Sequence, residues 1–281
     1  MKLPIQLRKR KLDTHKGDYG YILVLGGSPG LTGAVCLCAE AGLRIGAGLV
    51  RVAVPQSLND IFEIKLTEVM SLPLEEEKGC LSTAAFNQIE QLLDKVDVIA
   101  LGCGAALGAK DLLLKVIETV DKPLVVDADA LNALAFDLAV LERRKTRDII
   151  LTPHIGEFSR LLKIDSEKIK QKRKDLVKDF ALRYNLALVL KGYRTLISDG
   201  RKLFENTTGN PGMATAGCGD VLTGMIAGLL GQGLSCFEAA KIGVYLHGFA
   251  GDLAAKDRTQ LGLIASDIIE YLPKAIKKLS K

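Results

Sequence analysis

The sequence contains no tryptophan, its aromatic residues amount to only 5% of 281 positions, and no stretch approaches the roughly 18 uncharged apolar residues of a membrane-spanning helix. The scarcity of aromatics leaves aliphatic side chains to build the core, and the lack of a long apolar run excludes a span. The basic segment Met1–Lys16 also lacks the apolar stretch of a secretory leader, so a soluble, cytoplasmic protein is expected. Six cysteines, at 36, 38, 80, 103, 218 and 236, include no CxxC pair and no Cys/His spacing suited to zinc, and their apolar or glycine-rich surroundings read as buried reduced thiols. A net charge of +5 is too small to predict a nucleic-acid or membrane-surface protein, although it would help attract an anionic substrate.

Two nucleotide-binding signatures are missing as well. No Gly-Lys-Ser/Thr ending of a P-loop occurs, and in Gly102-Cys103-Gly104 the dinucleotide fingerprint fails because Leu107 stands where its third glycine belongs. Linker-like composition and fixed-period repeats are absent too, so one domain over residues 1–281 is expected.

What is present is a repeated order of short apolar runs and helical segments. A chain of this length buries about three quarters of its unfolded surface, and its 28 glycines suit an α/β protein with many tight turns. Tyr21–Leu25 is wholly apolar and ends at Gly26-Gly27-Ser28-Pro29-Gly30, which predicts a strand buried on both faces and then a turn. A helix over Thr32–Ala47 and a strand over Leu49–Pro55 follow. The pattern recurs with strands at Val69–Leu74, Val96–Leu101, Pro123–Asp127 and Asp148–Pro153, and with helices near Thr83–Leu93 and Ala109–Val120. This order predicts a largely parallel sheet with helices on both faces. Leu186–Leu190, Thr195–Ser198 and Lys202–Glu205 predict further strands, the last two joined at Asp199-Gly200 as an antiparallel edge. The cations around Lys168–Lys174 read as the solvated face of a helix.

The stretch that organises the chain is Asn206–Asp220, which runs into the apolar segment Val221–Leu230. Glycines and small residues lead to the start of a helix, whose first N–H groups have no internal partners and carry the positive end of its dipole. That predicts an anion site. Asp220 beside it reads as a base for phosphoryl transfer to an alcohol; the alternative is a residue that merely caps the helix. Other polar groups follow strand ends, where open α/β sheets bind ligands. Lys191 pairs with phosphate or is a strand-end lysine in water; His154 donates to substrate or caps the helix it precedes. Asp127 and Glu157 are candidates to hold Mg²⁺ through water.

Seven segments in order carry a resemblance that spans nearly the whole chain: Gly27-Ser28 with Thr32-Gly33-Ala34, Gly102-Cys103-Gly104, Asp127–Asn132, Thr152–Phe158, Lys191–Thr195, Asn206–Asp220 and Tyr245–Gly248. The sequence resembles the ADP/ATP-dependent NAD(P)H-hydrate dehydratases. The resemblance implies a ribokinase-like α/β three-layer sandwich, with a mostly parallel sheet, helices on both faces and an antiparallel edge. It implies the repair of hydrated NADH or NADPH (NADHX, NADPHX) at the expense of ADP or ATP, with Mg²⁺ and often a homotetramer. Asp220 matches the base, and the amides of Gly217 to Gly219 match the group that stabilises the transferring phosphoryl. Ala34, Gly104, His154 and Asp220 match substrate-contacting positions. Lys191, Gly192, Tyr193, Arg194, Thr195 and Gly219 match positions around the AMP part of the nucleotide. Cys218 replaces the usual Ser or Thr and Cys103 a frequent Pro, changes that keep the backbone amides but remove a hydroxyl. The N-terminal epimerase domain fused to many bacterial members is lacking, so epimerisation is not expected. Rival readings are a ribokinase-like kinase of a vitamin-precursor alcohol, of thiazole or hydroxymethylpyrimidine type, and a nucleotide-binding regulator without catalysis.

Overall fold

A computed structural model describes residues 1–280. Nine strands form one sheet: β1 (Tyr21–Leu25), β2 (Leu49–Pro55), β3 (Met70–Leu74), β4 (Val98–Leu101), β5 (Leu124–Val126), β6 (Ile149–Leu151), β7 (Ala187–Leu190), β8 (Leu196–Ser198) and β9 (Leu203–Glu205). Their spatial order is β9-β8-β7-β6-β5-β4-β1-β2-β3. The strands from β3 across to β7 pair in parallel, and β8 and β9 add antiparallel to that side, as the Asp199-Gly200 turn predicts. The chain therefore winds outward from β1 through β3, returns to β4 on the other side of β1, and continues outward again. Between β1 and β4 the winding reverses, which is where open α/β sheets place their ligand crevice.

Alternate residues of each strand enter two separate cores. Ile22, Val24, Val52, Val98 and Ala100 face one layer, built of helices α1 (Thr32–Arg44), α7 (Cys218–Gly231), α8 (Cys236–Arg258) and α9 (Ala265–Leu279). Leu23, Leu25, Ile99, Leu101, Val126 and Leu151 face the other, built of α2 (Lys110–Thr119), α3 (Asp129–Phe136), α4 (Ile155–Leu162), α5 (Ser166–Gln171) and α6 (Arg173–Tyr184). Burial on both faces explains why the strands read as unbroken apolar runs rather than alternating ones.

Helix α7 is buried on every side from Val221 to Leu230 and packs directly on α1. Its glycines make that approach possible: a Cβ at position 224 would overlap the Cys38 carbonyl oxygen of α1. Two sequence expectations change here. The Thr83–Leu93 helix is only a 3₁₀ turn, Thr83–Ala85, leading into Phe86–Glu90. The long basic helix is broken at Lys172 into α5 and α6, and Arg173 at the break is not simply solvated, because its guanidinium donates to the carbonyls of Tyr193 (3.1 Å) and Arg194 (3.3 Å). All six cysteines are free thiols, but Cys80 and Cys236 are only partly buried, in contrast to the other four. Among the described residues no helix is long and apolar enough to cross a membrane.

Candidate active site

The N-terminus of α7 stands beside Lys191 and Asp127, the residues that follow β7 and β5. Its cap is Gly217, at φ 89° and with no capping side chain, a conformation that costs glycine little and other residues more. A Cβ there would also come within 2.5 Å of Leu37 and 3.0 Å of Ala265. Asp220 lies in the first helical turn rather than at the cap. Burial is the main cause that raises its pKa above the ordinary aspartate value, and the charge of Asp127 adds to it, while a Cys103 hydrogen bond and Lys191 oppose. A half-buried carboxylate with a raised proton affinity beside open helix amides can accept a proton from a hydroxyl held between them.

The loop that leads into this turn is fastened to α8. Thr208 Oγ1 donates to the Tyr245 carbonyl (2.8 Å), and Asp252 accepts from the Gly209 amide (2.9 Å) and from Asn210 Nδ2 (3.0 Å). His247 Nε2 lies 2.9 Å from the Cys218 carbonyl oxygen. Burial pushes the His247 pKa down to about 4, so the ring is neutral at pH 7 and donates from Nε2. The Tyr-Leu-His-Gly segment marked this histidine in the sequence without giving it a task; its task is to fix the first turn of α7.

Beneath the turn lies a buried charge cluster. Lys191, at the end of β7, places Nζ 2.6 Å from Asp127 Oδ1 and 3.9 Å from Glu157 Oε2. The second Asp127 oxygen accepts from Thr223 Oγ1 at 2.8 Å, one turn along α7 from Asp220. Gly219 sits over this cluster: a Cβ there would stand 3.4 Å from Lys191 Nζ and 3.7 Å from Asp127 Oδ2. Burial pulls the Lys191 pKa down, but Asp127 and Glu157 outweigh it and hold the ammonium above its ordinary value. Burial raises Glu157 to about 7, against the opposing pull of Lys191. Lys191 is thus no strand-end lysine in water. Thr223 carried no signal in the sequence, being one more residue in an apolar helix.

His154 joins this cluster through a reciprocal cap of α4. Its Nδ1 accepts from the amides of Gly156 (2.9 Å) and Glu157 (3.2 Å), and Glu157 Oε2 accepts from the His154 amide at 2.7 Å. With Nδ1 accepting, the neutral ring carries its proton on Nε2, on an exposed residue. Burial, then Lys191 and Arg160, lower its pKa, so capping the helix and donating a hydrogen bond outward are compatible roles. On the other lip, the loops after β1 and β4 interlock. Gly27 N donates to the Cys103 carbonyl (3.1 Å), Ser28 Oγ to the Gly104 carbonyl (2.9 Å), and a Cβ on Gly104 would stand 3.2 Å from that of Ala34.

The segment after Lys191 diverges from the cluster. Thr195 Oγ1 donates back to the Gly192 carbonyl at 2.9 Å, and Tyr193 is 85% exposed. Tyr193 and Arg194 border a surface cavity of about 520 Å³ together with Lys172 and Arg173.

Asp127 has no free oxygen with which to coordinate Mg²⁺ directly, which leaves the water-mediated contact expected of it and Glu157. Both Asp127 oxygens are already engaged, by an ammonium and a hydroxyl, and Glu157 is tied to the His154 amide. Among the described residues no three Asp, Glu, His or Cys side chains converge as a metal site.

Comparison with known proteins shows the family to which this chain belongs. A family model described as NAD(P)H-hydrate dehydratase matches residues 22–274. The chain belongs to that family. It is 47% identical over 284 residues to the bifunctional NAD(P)H-hydrate repair enzyme of Moorella thermoacetica, covering 98% of this chain and 53% of that protein. It is 36% identical over 276 residues to the ADP-dependent (S)-NAD(P)H-hydrate dehydratase of Neisseria meningitidis serogroup B, covering 95% of this chain and 88% of the other. The chain thus spans about half the length of the bifunctional relatives it matches. Among solved structures, the ADP/ATP-dependent NAD(P)H-hydrate dehydratase of Bacillus subtilis, co-crystallised with ATP/Mg²⁺, superposes with a TM-score of 0.79 at 28% identity over 99% of this chain and 95% of that one. The three-layer sandwich is ribokinase-like, as expected.

Proposed function

We propose that this chain is a nucleotide-dependent hydro-lyase that returns hydrated NADH or NADPH to the reduced dinucleotide, converting ADP to AMP, or ATP to ADP, with release of phosphate. The observation that carries this reading is the placement of Asp220 in the first turn of α7, next to amides that Gly217 leaves uncapped. Hydroxide is a poor leaving group and phosphate a good one, so the substrate hydroxyl is phosphorylated first. Asp220 takes the hydroxyl proton as the oxygen attacks the terminal phosphorus, the nucleotide leaves with one phosphate fewer, and the amides at Gly217 to Gly219 stabilise the charge on the moving group. The C–O bond then breaks and phosphate departs, and the neighbouring ring carbon gives up a proton to solvent as the ring double bond re-forms.

Ala34 and Gly104 on one lip and His154 on the other contact the dinucleotide in this reading, while Lys191, Gly192, Tyr193, Arg194, Thr195 and Gly219 surround the AMP part of the nucleotide. A Mg²⁺ ion would be held mainly by phosphate oxygens, with the two carboxylates reaching it through water at most, since both Asp127 oxygens already accept hydrogen bonds. A soluble, cytoplasmic homotetramer is the assembly that the family resemblance favours.

The test is a coupled assay: hydrated NADH or NADPH is mixed with ADP or ATP, and recovery of reduced-nicotinamide absorbance is followed. Recovery with release of one phosphate per turnover is expected. No recovery, with a phosphorylated vitamin-precursor alcohol accumulating instead, would establish the kinase reading.

A further inference from the structure

A cavity of about 540 Å³ opens beside the lips of the candidate site, lined by Leu107, Asn132, Ala135, Phe136, Arg160 and Lys163. Nothing in the chemistry of phosphoryl transfer uses it. Its walls are nevertheless tied to both lips by one chain of hydrogen bonds. The Ala106 amide, two residues past Gly104, donates to Asp129 Oδ2 at 2.8 Å; Asn132 Nδ2 donates to Asp129 Oδ1 at 3.3 Å; Arg160 Nε donates to Asn132 Oδ1 at 3.0 Å. Arg160 belongs to α4, the helix that His154 caps, and its guanidinium would lie 3.9 Å from a Cβ at Gly156. The cavity therefore shares its walls with the two elements that form the lips, the loop after β4 that carries Gly104 and the helix α4 that His154 caps.

Its chemistry is of two kinds. Phe136 and Leu107 are 67% and 52% exposed, a large apolar surface for a soluble protein to leave uncovered at one spot. Around them stand cations: Arg160, Lys163 at the C-cap of α4, and Lys110, whose Nζ lies 5.3 Å from the Phe136 ring centroid. An aromatic platform ringed by a guanidinium and two ammonium groups suits a planar base that carries phosphate. The volume is in the range of small-molecule pockets, roughly 300–1,000 Å³.

We propose that this cavity receives the adenosine half of the dinucleotide, with Phe136 and Leu107 against the adenine and Arg160 and Lys163 on the ribose 2′-phosphate, so that the 2′-phosphorylated substrate is bound in preference to the unphosphorylated one. The inference rests on the dinucleotide reading given above and adds to it a binding subsite and a specificity. Arg160 keeps the four N–H donors of its two terminal nitrogens after its bond to Asn132, enough to grip a phosphate while its Nε holds the wall in place.

The test measures binding of the reaction product, so that it does not depend on turnover. Titration calorimetry of the full chain with NADPH and with NADH is expected to give at least a tenfold tighter Kd for NADPH. In Lys163→Gln and Arg160→Gln that ratio should fall to within about threefold, mainly through a weaker NADPH Kd, and Phe136→Ala should weaken both dinucleotides alike. Circular dichroism and size-exclusion chromatography of each variant check that fold and assembly are kept. Equal Kd values in the unaltered protein, an unchanged ratio in the two charge variants, or a change of oligomeric state in Phe136→Ala with dinucleotide binding intact would each overturn the proposal, the last by making the patch a subunit contact. Failure of the parent reading looks different: NADPH selectivity present and lost as described, but no recovery of reduced nicotinamide from either hydrate.

Discussion

Lys191→Met tests whether the lysine holds the site together as well as meeting nucleotide. Nζ lies 2.6 Å from Asp127 and 3.9 Å from Glu157, and Coulomb's law at an effective dielectric of 20 gives about 6 and about 4 kcal/mol for those two attractions. Most of this only offsets the loss of hydration of the three groups, whose side chains are 18%, 2% and 6% exposed. Removal of the lysine leaves that cost uncompensated, and truncating one partner of a buried pair typically costs about 3–5 kcal/mol. The loss should depend on pH. Without Lys191 the pull that opposes burial at Glu157 is gone, so Glu157 keeps a folded-state pKa above its unfolded one and stability falls as pH rises through the window that begins near pH 4.5. Urea unfolding should therefore show a smaller loss near about pH 5, where Glu157 is protonated, than near about pH 8, where the full 3–5 kcal/mol is expected. Asp127→Asn added to Lys191→Met should restore part of the difference at the higher pH, because one unpaired charge is gone. A loss of under about 1 kcal/mol at the higher pH, of the size seen for exposed pairs, or a loss equal at both, would refute the reasoning.

Three further outcomes follow from the same geometry. Asp220→Asn should lower kcat by about a hundredfold or more, within the range set by removal of a general base, while calorimetry still detects nucleotide; an unaltered rate removes Asp220 from the chemistry. Glu157→Gln should flatten the stability–pH curve between 4.5 and about 7, because the native state of the unsubstituted protein gains protons there and loses stability as they dissociate, by up to about 3 kcal/mol over the window; urea midpoints across that range decide it. Gly224→Ala forces a methyl onto the Cys38 carbonyl and should cost about 3 kcal/mol or more in thermal unfolding, the upper end for overpacking, with loss of activity because α1 carries Ala34 and α7 carries Asp220.

The strands were legible because burial on both faces writes itself locally, as in Ile22-Leu23-Val24-Leu25, and glycines close several of the runs, as at Gly26-Gly27 and Gly102. The α7 turn was legible for a similar reason: a left-handed Gly217 followed by a carboxylate in an otherwise apolar helix is a local conflict that function explains. His154 was half legible, since histidine followed three residues later by glutamate has capping-box spacing; its sequence left capping and donation as alternatives, of which the cap is present through Nδ1. What the sequence hid is pairing at a distance. Lys191 meets Asp127 across 64 positions, Thr223 meets Asp127 across 96, and His247 meets Cys218 through a backbone oxygen that no side-chain pattern announces.

Pairing at a distance also changes the reading of Asp127, whose two oxygens are taken by Lys191 and Thr223 rather than left open for direct coordination of Mg²⁺. Two carboxylates at adjacent strand ends are what a cation needs, and a sequence does not reveal that the cation is a lysine from the next strand over. Once Lys191 occupies that place, its charge cannot be spent twice. An ammonium held 2.6 Å from Asp127 contributes little net field to a phosphate above it, whereas the uncapped amides of α7 retain theirs. In the proposed reading the anion-binding power of the site therefore comes chiefly from backbone amides, which Cys218 and Cys103 leave in place.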